Sequence, residues 1–317
     1  MTSQTSSAPE KRSWSRTTWL ELIGIVLFWS ANWPITKSIL IYASPMAFTA
    51  IRFVCALAVM AVVSVLARQP LRPVAGEKSG LALVGLLQIG GMLGFSFAGL
   101  EYLGPGRAAV LTYTMPIWCI PLGWLLTRDR INLSGVIGGL LGLAGLLVFL
   151  NPALISWSDR RILLGNGLAL AGALCWALGA CLYRRRRWQT GFWTQTFWQV
   201  LASAIVLSVP LWLLGARRPI VWTASLIVVL AYNAIVTTAL CYWWWGKVLA
   251  TTSAARAGQF LTLVPASALL MSKAFSGEAV GLSALVSVLL ISAGVIVTLR
   301  GRTPPTPILP IADSDGL

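Results

Sequence analysis

The sequence predicts an all-α integral membrane protein of ten transmembrane helices, arranged as two inverted five-helix repeats. Three observations predict this class. Of 317 residues, 57% are hydrophobic and only 10% are charged, whereas a soluble domain carries about 25% charged residues. Apolar stretches of about 20 residues, the length that crosses a bilayer as a helix, recur along the whole chain. The two halves of the chain also share one pattern of charged and helix-breaking residues.

The repeat is visible as pairs of residues at a constant separation. An offset of 147 relates Trp29 to Trp176 and Lys37 to Arg184 in the earlier parts of the halves. Such a pattern within apolar sequence indicates a duplication, with the first five-helix repeat at 19–150 and the second at 164–299. Later in the halves, five pairs are 149 positions apart: Arg107 and Arg256, Pro116 and Pro265, Asp129 and Glu278, Ser134 and Ser283, and Gly145 and Gly294.

The membrane spans are separated by short polar segments. Helices are favoured over barrel strands, because lipid offers no partners to backbone groups and these stretches are too long for strands. The turn at 104–106 separates spans 3 and 4, and the polar run at 251–253 separates spans 8 and 9. The ten predicted spans are 19–39, 45–66, 80–100, 104–126, 132–150, 164–183, 192–214, 223–245, 254–275 and 280–299.

The positively charged residues predict the orientation. With both termini in the cytoplasm, 15 of the 24 Lys and Arg residues lie on the cytoplasmic side, in agreement with the positive-inside rule. The net charge of +15 is then a cytoplasmic rim beside anionic lipid, and no nucleic-acid partner is expected. Residues 1–18 are predicted to be a retained cytoplasmic segment, and 303–317 a disordered tail.

Five helices per repeat predict transport. An odd number of crossings inserts the second copy upside down, which creates a pseudo-two-fold axis in the membrane plane. Exchanging the conformations of two inverted halves converts an outward-open cavity into an inward-open one. The sequence therefore favours a secondary transporter that works by alternating access.

Several motifs carry a resemblance. They are the segment 29–37 (Trp-Ser-Ala-Asn-Trp-Pro-Ile-Thr-Lys), Arg52 early in span 2, prolines in spans 4 and 9, and acids ahead of Gly-rich helices. With them, residues 19–299 resemble the EamA-type family of the drug/metabolite transporter superfamily. The resemblance implies a multi-pass protein of the bacterial inner membrane that moves small metabolites, mostly outward, such as amino acids or their derivatives. Import of a vitamin or other aromatic metabolite is the alternative, and a non-transporting membrane protein is another.

The resemblance also implies a central cavity lined by spans 1, 3, 4, 6, 8 and 9. Since a buried amide in lipid needs a partner, Asn32 either faces the ligand or bonds another helix. For the aromatic residues, lining the cavity and plain packing are the two alternatives. An aromatic-lined cavity would suit a flat or apolar substrate. The residues predicted to bind substrate are Asn32, Trp33, Tyr113, Trp176, Tyr242 and Gln259.

Charged residues in the spans have two interpretations. Arg107 and Arg256 occupy equivalent early positions in spans 4 and 9, where a cation opposes the helix dipole at a cost of about 0.3 to 1 kcal/mol. Each is either a gate or carboxylate contact at a mouth of the cavity, or a contact to lipid headgroups or loop carbonyls. Arg52, the most deeply placed charge, is expected to bond carbonyls inside the bundle. Asp129 and Glu278 are expected to stabilise the positive ends of the following helices.

The residue inventory argues against an enzyme. Intramembrane catalysis would need a nucleophile and base, paired acids or a metal at depth, yet the chain has no histidine and no hydrolase, metalloprotease or phosphate-loop motif. No cofactor or metal is expected. Because proton-coupled carriers usually place a titratable group at depth, facilitated or exchange transport is predicted, or coupling through the peripheral Glu21.

Span 5 carries a face of small residues. The pairs Gly135 and Gly139, and Gly138 and Gly142, each have GxxxG spacing, and Gly145 follows them. Such a face permits close contact between helices. Packing within the bundle and dimerisation are both open, so the protein is predicted to be a monomer or a homodimer.

Overall fold

The computed structural model describes residues 15–127, 133–150, 159–214, 219–251, 257, 260–261, 263–276 and 281–300. Across these ranges the secondary structure is helical and contains no strand, which confirms the all-α class. Six helical stretches of this described part are long and apolar enough to cross a membrane. They correspond to predicted spans 2, 3, 4, 6, 7 and 8: Pro45–Leu66, Lys78–Leu100, Pro105–Leu126, Arg160–Arg185, Phe192–Val209 and Ala224–Ala250.

In the first half of the chain, the described residues form six helical segments. Helix α3 is continuous over Lys78–Leu100, but its central turn, Leu86–Gly91, is π-helical. The segments are α1 (Arg16–Ile39), α2 (Pro45–Leu66), α3, α4 (Pro105–Thr112), α5 (Met115–Thr127) and α6 (Leu133–Leu150).

In the second half, the residues that the structure describes form five helices with defined bounds. Helix α9 consists of Ala224–Tyr232, a π-helical segment Asn233–Leu240 and Cys241–Thr251. The two π-helical segments begin at positions 86 and 233, which differ by 147, the offset of the repeat. The other helices are α7 (Arg160–Arg185), α8 (Phe192–Leu214), α10 (Leu263–Ser276) and α11 (Leu282–Arg300).

Local sequence determines where several helices begin. The hydroxyls of Ser15, Ser44 and Thr223 each accept a hydrogen bond from a backbone N–H in the first turn of the following helix, the usual role of an N-cap residue. Pro45 and Pro105 occupy first-turn positions, where the missing N–H of proline costs no hydrogen bond. These caps explain why the observed starts of α2 and α9 agree with the predicted ones.

Predicted span 4 is interrupted in the structure. Helix α4 ends at Thr112 and α5 begins at Met115, where sequence analysis predicts one uninterrupted helix over 104–126. Pro116 lies in the first turn of α5, and a proline inside a continuous helix would leave a carbonyl one turn earlier without its donor. The hydroxyl of Thr114 donates to the Leu111 carbonyl at 2.8 Å and so satisfies one acceptor at the break.

The two halves pack against each other reciprocally. Helix α1 packs on α10, and its repeat equivalent α7 packs on α4 and α5; likewise α2 packs on α9, and α8 packs on α3. For each of these contacts, the equivalent helices of the two halves make the corresponding contact. The bundle interior is formed by both halves together.

The interface between α6 and α11 shows this reciprocity at single residues. A Cβ on Gly145 would lie 2.9 Å from the Ser287 carbonyl oxygen, and one on Gly294 would lie 2.5 Å from the Gly138 carbonyl oxygen. The shift of 149 positions relates Gly145 to Gly294 and Gly138 to Ser287. The small-residue face of α6 thus packs inside the bundle, one of the two predicted uses, and its contact is self-complementary, as in an isologous interface.

The connection that follows α2 docks on the connection that follows α7. The Glu77 carboxylate accepts hydrogen bonds from the backbone N–H groups of Gln189 at 2.9 Å and Thr190 at 3.1 Å, and from the Thr190 hydroxyl at 2.5 Å. Arg186 donates to the Gly76 carbonyl at 2.9 Å. Burial favours the neutral form of Glu77, but these hydrogen bonds outweigh burial and hold its pKa below the ordinary value.

Candidate functional site

Aromatic side chains from several helices meet in the interior of the bundle. One group, the Trp33 cluster, consists of Trp33, Phe48, Phe97 and Tyr113. The Trp33 ring centroid lies 6.1 Å from the centroid of Phe97 and 6.1 Å from that of Tyr113, and Phe48 lies 6.3 Å from Phe97. All four side chains are buried. This cluster joins α1, α2 and α3 at the point where α4 ends.

A second group, the Trp29 cluster, consists of Trp29, Trp176, Tyr242 and Trp245. Trp29 lies 5.3 Å from Tyr242 and 6.1 Å from Trp245, which in turn lies 5.4 Å from Trp176, all between ring centroids. Trp29 and Trp33 are four residues apart, so both point from one face of α1. The two clusters are therefore stacked one helical turn apart.

Arg52 lies between the clusters. Its Nε donates to the Thr238 hydroxyl at 2.7 Å and its Nη2 to the Thr237 hydroxyl at 2.8 Å. Trp29 donates from Nε1 to the Thr237 carbonyl at 3.0 Å, and the Arg52 Cζ atom lies 5.7 Å from the Phe97 ring centroid. The prediction that Arg52 bonds carbonyls is therefore wrong in its acceptor, because the acceptors are threonine hydroxyls.

The acceptors for Arg52 come from the π-helical segment of α9. The wider π turn carries one extra residue, a feature that often occurs at functional sites, and it places the adjacent Thr237 and Thr238 where both meet the same guanidinium. The equivalent segment of α3 carries Gln88, which is buried. Gln88 lies against Gly179 of α7, and the contact is so close that a Cβ built on this glycine would be 2.8 Å from the Gln88 backbone nitrogen.

The structure describes five of the six predicted substrate-binding residues, and all five are buried. Trp33 and Tyr113 belong to the Trp33 cluster, and Trp176 and Tyr242 to the Trp29 cluster. The Asn32 side-chain oxygen accepts a hydrogen bond from Thr36, one turn further along α1, at 3.1 Å. Gln259 lies outside the described residues. The part these residues play in binding stays a prediction.

Arg107 contacts an amide of the other half. Its Nε donates to the Asn166 side-chain oxygen of α7 at 3.2 Å, which ties α4 to α7. A gate or carboxylate contact for Arg107 stays a prediction, and Arg256, Asp129 and Glu278 lie outside the described residues. On this side of the bundle a cavity of 480 Å³ is lined by Glu101, Tyr102, Arg160, Arg161 and Leu164.

An ion pair joins α1 to α9 beside the Trp29 cluster. Lys247 Nζ lies 2.8 Å from Glu21 Oε1, and the Glu21 side chain is buried while that of Lys247 is 35% exposed. Lys247 also lies 4.8 Å from the centroid of the Trp243 ring. Because Glu21 precedes Trp29 by two helical turns and Lys247 follows Trp245 by two residues, the pair ties the two helices together at one end of this cluster.

Sequence analysis missed several members of this interior. Phe97 and Trp245 are ordinary residues within apolar stretches, so nothing in the sequence separates them from packing residues. Gln88 could have been found, since an amide inside a predicted span is uncommon. In the part of the chain that the structure describes, no group of three or more His, Cys, Asp or Glu residues could hold a metal ion.

Known proteins resemble this chain over most of its length. The uncharacterized transporter YvbV of Bacillus subtilis (strain 168) is 28% identical over 281 residues, which cover 87% of this chain and 89% of the relative. YoaV of the same organism, also an uncharacterized transporter, is 23% identical over 276 residues, covering 87% and 94%. One solved crystal structure has a TM-score of 0.69 at 21% identity, covering 89% of this chain and 96% of that chain, and so shares the fold.

The family model of the EamA-like transporter family matches residues 18–151 and again residues 163–300. The two matches together account for most of the 317 residues, and the motifs at 29–37 and at Arg52 lie within the first. The chain therefore belongs to the EamA-like transporter family.

Proposed function

We propose that this protein is a secondary transporter of the bacterial inner membrane that exports small metabolites, such as amino acids or their derivatives, by alternating access. Membership of the EamA-like family supports transport. The proposal includes ten transmembrane helices in two inverted repeats and both termini in the cytoplasm. The observation that carries it is the reciprocal packing of the two halves around a polar and aromatic interior.

Reciprocal packing supports the inverted arrangement. Gly145 meets Ser287 and Gly294 meets Gly138, which is the reciprocity expected of two copies related by a two-fold axis between α6 and α11. The π-helical segments of α3 and α9 begin at equivalent positions. In a pair of inverted halves, an exchange of their two conformations reverses the side on which the interior opens.

The substrate site lies, in this proposal, between the two aromatic clusters. Asn32 and Trp33 come from α1, Tyr113 from the end of α4, Trp176 from α7 and Tyr242 from α9, so both halves contribute. Gln259 is proposed as a sixth contact. Aromatic faces bind flat apolar groups by stacking, and the hydroxyls and amides between them supply hydrogen bonds. In the described residues these clusters are buried, so substrate enters when the two halves move apart on one side.

Resistance of overexpressing cells tests the proposal. Cells that produce the protein are exposed to toxic amino acids, amino-acid derivatives and aromatic metabolites, and release of each protected compound is measured with a radiolabel. Export predicts resistance and faster release. Trp33→Ala should abolish both, whereas Trp124→Ala, at a side chain that is 58% exposed, should retain them. Sensitisation would indicate import, and equal release from all variants would indicate a protein that does not transport.

A further inference from the structure

Arg52 is a buried cation whose hydrogen bonds are incomplete. We propose that Arg52 binds the carboxylate of the transported molecule, and that the preferred substrates are monocarboxylates with an aromatic or apolar body and no free ammonium group. The inference rests on the proposed transport function and names the class of substrate that the interior accepts. Four observations carry it: the free donor of Arg52, the placement of the described acids away from it, two further free donors in the bundle interior, and the surrounding rings.

The guanidinium is held firmly and still has one free donor. Arg52 is 1% exposed, and its Nε and Nη2 bond the hydroxyls of Thr238 and Thr237. Among the described residues, nothing accepts a hydrogen bond from Nη1. A buried donor without an acceptor is destabilising, and more so when it belongs to a charged group. An oxygen of a bound ligand would remove this destabilisation.

The charge itself also lacks a protein counterion within the described ranges. The ionisable side chains that interact electrostatically with Arg52 are Tyr242, Cys241, Tyr232 and Tyr113, and none of them is a carboxylate. A buried cation is stable only when an anion or a full set of hydrogen bonds compensates its lost hydration.

The described acids are placed elsewhere. Glu21 pairs with Lys247, Glu77 binds the connection after α7, Asp159 caps the start of α7, and Glu101 lines the cavity beyond α4. An anionic ligand therefore supplies the compensating charge that the described part of the protein does not.

Two other buried donors point to the same ligand chemistry. Gln88 Nε2 and Trp245 Nε1 are buried and have no hydrogen-bond partner in the part of the chain that the structure describes. Trp245 belongs to the Trp29 cluster, and Gln88 lies against Gly179, one turn from Trp176. All of these free groups are N–H donors, and a set made of donors suits oxygen acceptors such as those of a carboxylate.

The surrounding rings define the rest of the substrate. Trp29, Tyr242 and Phe97 border Arg52 or its threonine partners, so a carboxylate on Nη1 would place its attached group among aromatic faces. A free ammonium group would need its own acceptors or an acid, and none of the described acids lies there. Ring faces attract an ammonium group through cation–π contacts, which stabilise it less than the charged hydrogen bonds that Arg52 offers a carboxylate. Among the small metabolites of the proposed function, amino-acid derivatives and other compounds with a net negative charge are therefore favoured over zwitterionic amino acids.

Three radiolabelled probes that share a phenyl ring test this inference. The full chain is reconstituted in liposomes, and exchange uptake at neutral pH is compared for 3-phenylpropionate, phenylalanine and phenethylamine, with protein-free liposomes as the leak control. We expect 3-phenylpropionate to move at least about tenfold faster than phenethylamine, which has no carboxylate for Arg52 to bind. It should also move at least about tenfold faster than phenylalanine, because the ammonium group of phenylalanine finds no described acid in the interior. Arg52→Gln should abolish the preference over phenethylamine, and Arg52→Lys should retain part of it.

Matched variants separate binding from folding. Arg72→Gln removes an exposed cation of the connection after α2 and should leave the preference unchanged. Thr238→Val keeps the charge of Arg52 but removes one of its hydrogen bonds, and should weaken the preference about three- to tenfold. If Arg52→Gln does not reconstitute, the wild-type preference together with Arg52→Lys and Thr238→Val decides the question.

Several results would overturn the inference. One is movement of phenylalanine or phenethylamine as fast as 3-phenylpropionate in the wild type. Another is a preference for 3-phenylpropionate over phenethylamine that persists in Arg52→Gln or is unchanged in Thr238→Val. A third is no movement of any probe. The resistance screen distinguishes the two proposals. If cells export a compound but the liposomes show no anion preference, only the role of Arg52 fails; if cells export nothing, the transport proposal itself fails.

Discussion

At the scale of residues, the interior is organised around Arg52. The sequence places a charge deep within a predicted span, and this depth is visible because the flanking residues are apolar. Its acceptors, Thr237 and Thr238, lie 185 and 186 residues further along the chain. Hydrophobic periodicity reports which face of a helix is buried but not which distant helix covers it. The depth of Arg52 was therefore predictable and its partners were not.

The ion pair between Glu21 and Lys247 gives a stability prediction. Glu21→Gln leaves the size of the side chain unchanged but removes a buried charge that contacts Lys247 at 2.8 Å. We expect a loss of about 1 to 2 kcal/mol, less than for a fully buried pair, because Lys247 is partly exposed. Thermal unfolding in detergent measures it, with Lys247→Gln and the double variant completing a double-mutant cycle. Additive losses would show that the two side chains do not interact.

Glu77 gives a prediction on pH. Its pKa is lower in the folded protein than in the unfolded chain, so its contribution is complete above the unfolded value of about 4.3 and is lost as pH falls through the folded pKa. At neutral pH, Glu77→Gln should lower stability by about 1 to 2 kcal/mol. The difference in Tm between wild type and variant should shrink as the pH is lowered below about 4.3. A constant difference across that range would contradict this assignment.

At the scale of helices, boundaries were more predictable than irregularities. The start of α2 follows from Ser44 and Pro45, which are local capping residues. The π-helical segments of α3 and α9 have no comparable marker in the sequence, because apolarity is the same in an α and a π turn. Pro116 does mark a feature, the break before α5, but prolines also occur within continuous transmembrane helices, so the break needed the structure.

The glycine interface of α6 and α11 is tested by one methyl group. A Cβ on Gly294 would lie 2.5 Å from the Gly138 carbonyl oxygen, so Gly294→Ala must push the two helices apart. We expect a loss of about 1 to 3 kcal/mol, seen as a lower Tm in detergent. Gly142→Ala on α6 is the matched control, because a Cβ there meets no described atom within 4 Å. It should be neutral or slightly stabilising, since alanine favours a helix over glycine; equal losses in both variants would contradict the close contact.

At the scale of the whole molecule, the repeat explains where the interior lies. The Trp29 cluster bridges the halves, because Trp29 of α1 contacts Tyr242 and Trp245 of α9. The Trp33 cluster lies within the first half, and Arg52 beside Phe97 connects it to α9. The offsets of 147 and 149 made a two-part chain predictable, and the family model matches it twice. Which helices of the two halves touch was not predictable, because equal spacing in sequence is compatible with many arrangements of the predicted helices.

The energy source can be tested in liposomes. Among the described acids, Glu21 is the one within a helix of the interior, and Lys247 neutralises it. We therefore expect transport to proceed down the substrate gradient or by exchange, with little effect of an imposed pH gradient. Strong uphill accumulation driven by the pH gradient, and still present in Glu21→Gln, would contradict both facilitated transport and coupling through Glu21.

Sidedness of equivalent connections tests the inverted repeat most directly. Ile41 follows α1 and Arg187 follows its repeat equivalent α7, and both are exposed. Single cysteines at these positions, in an active variant without the five native cysteines, are labelled in intact cells with a membrane-impermeant maleimide. Inverted repeats predict that the cysteine at 41 is labelled from outside and that the cysteine at 187 is labelled only after the membrane is opened. Labelling of both from the same side would contradict the inverted arrangement and, with it, the proposed mechanism.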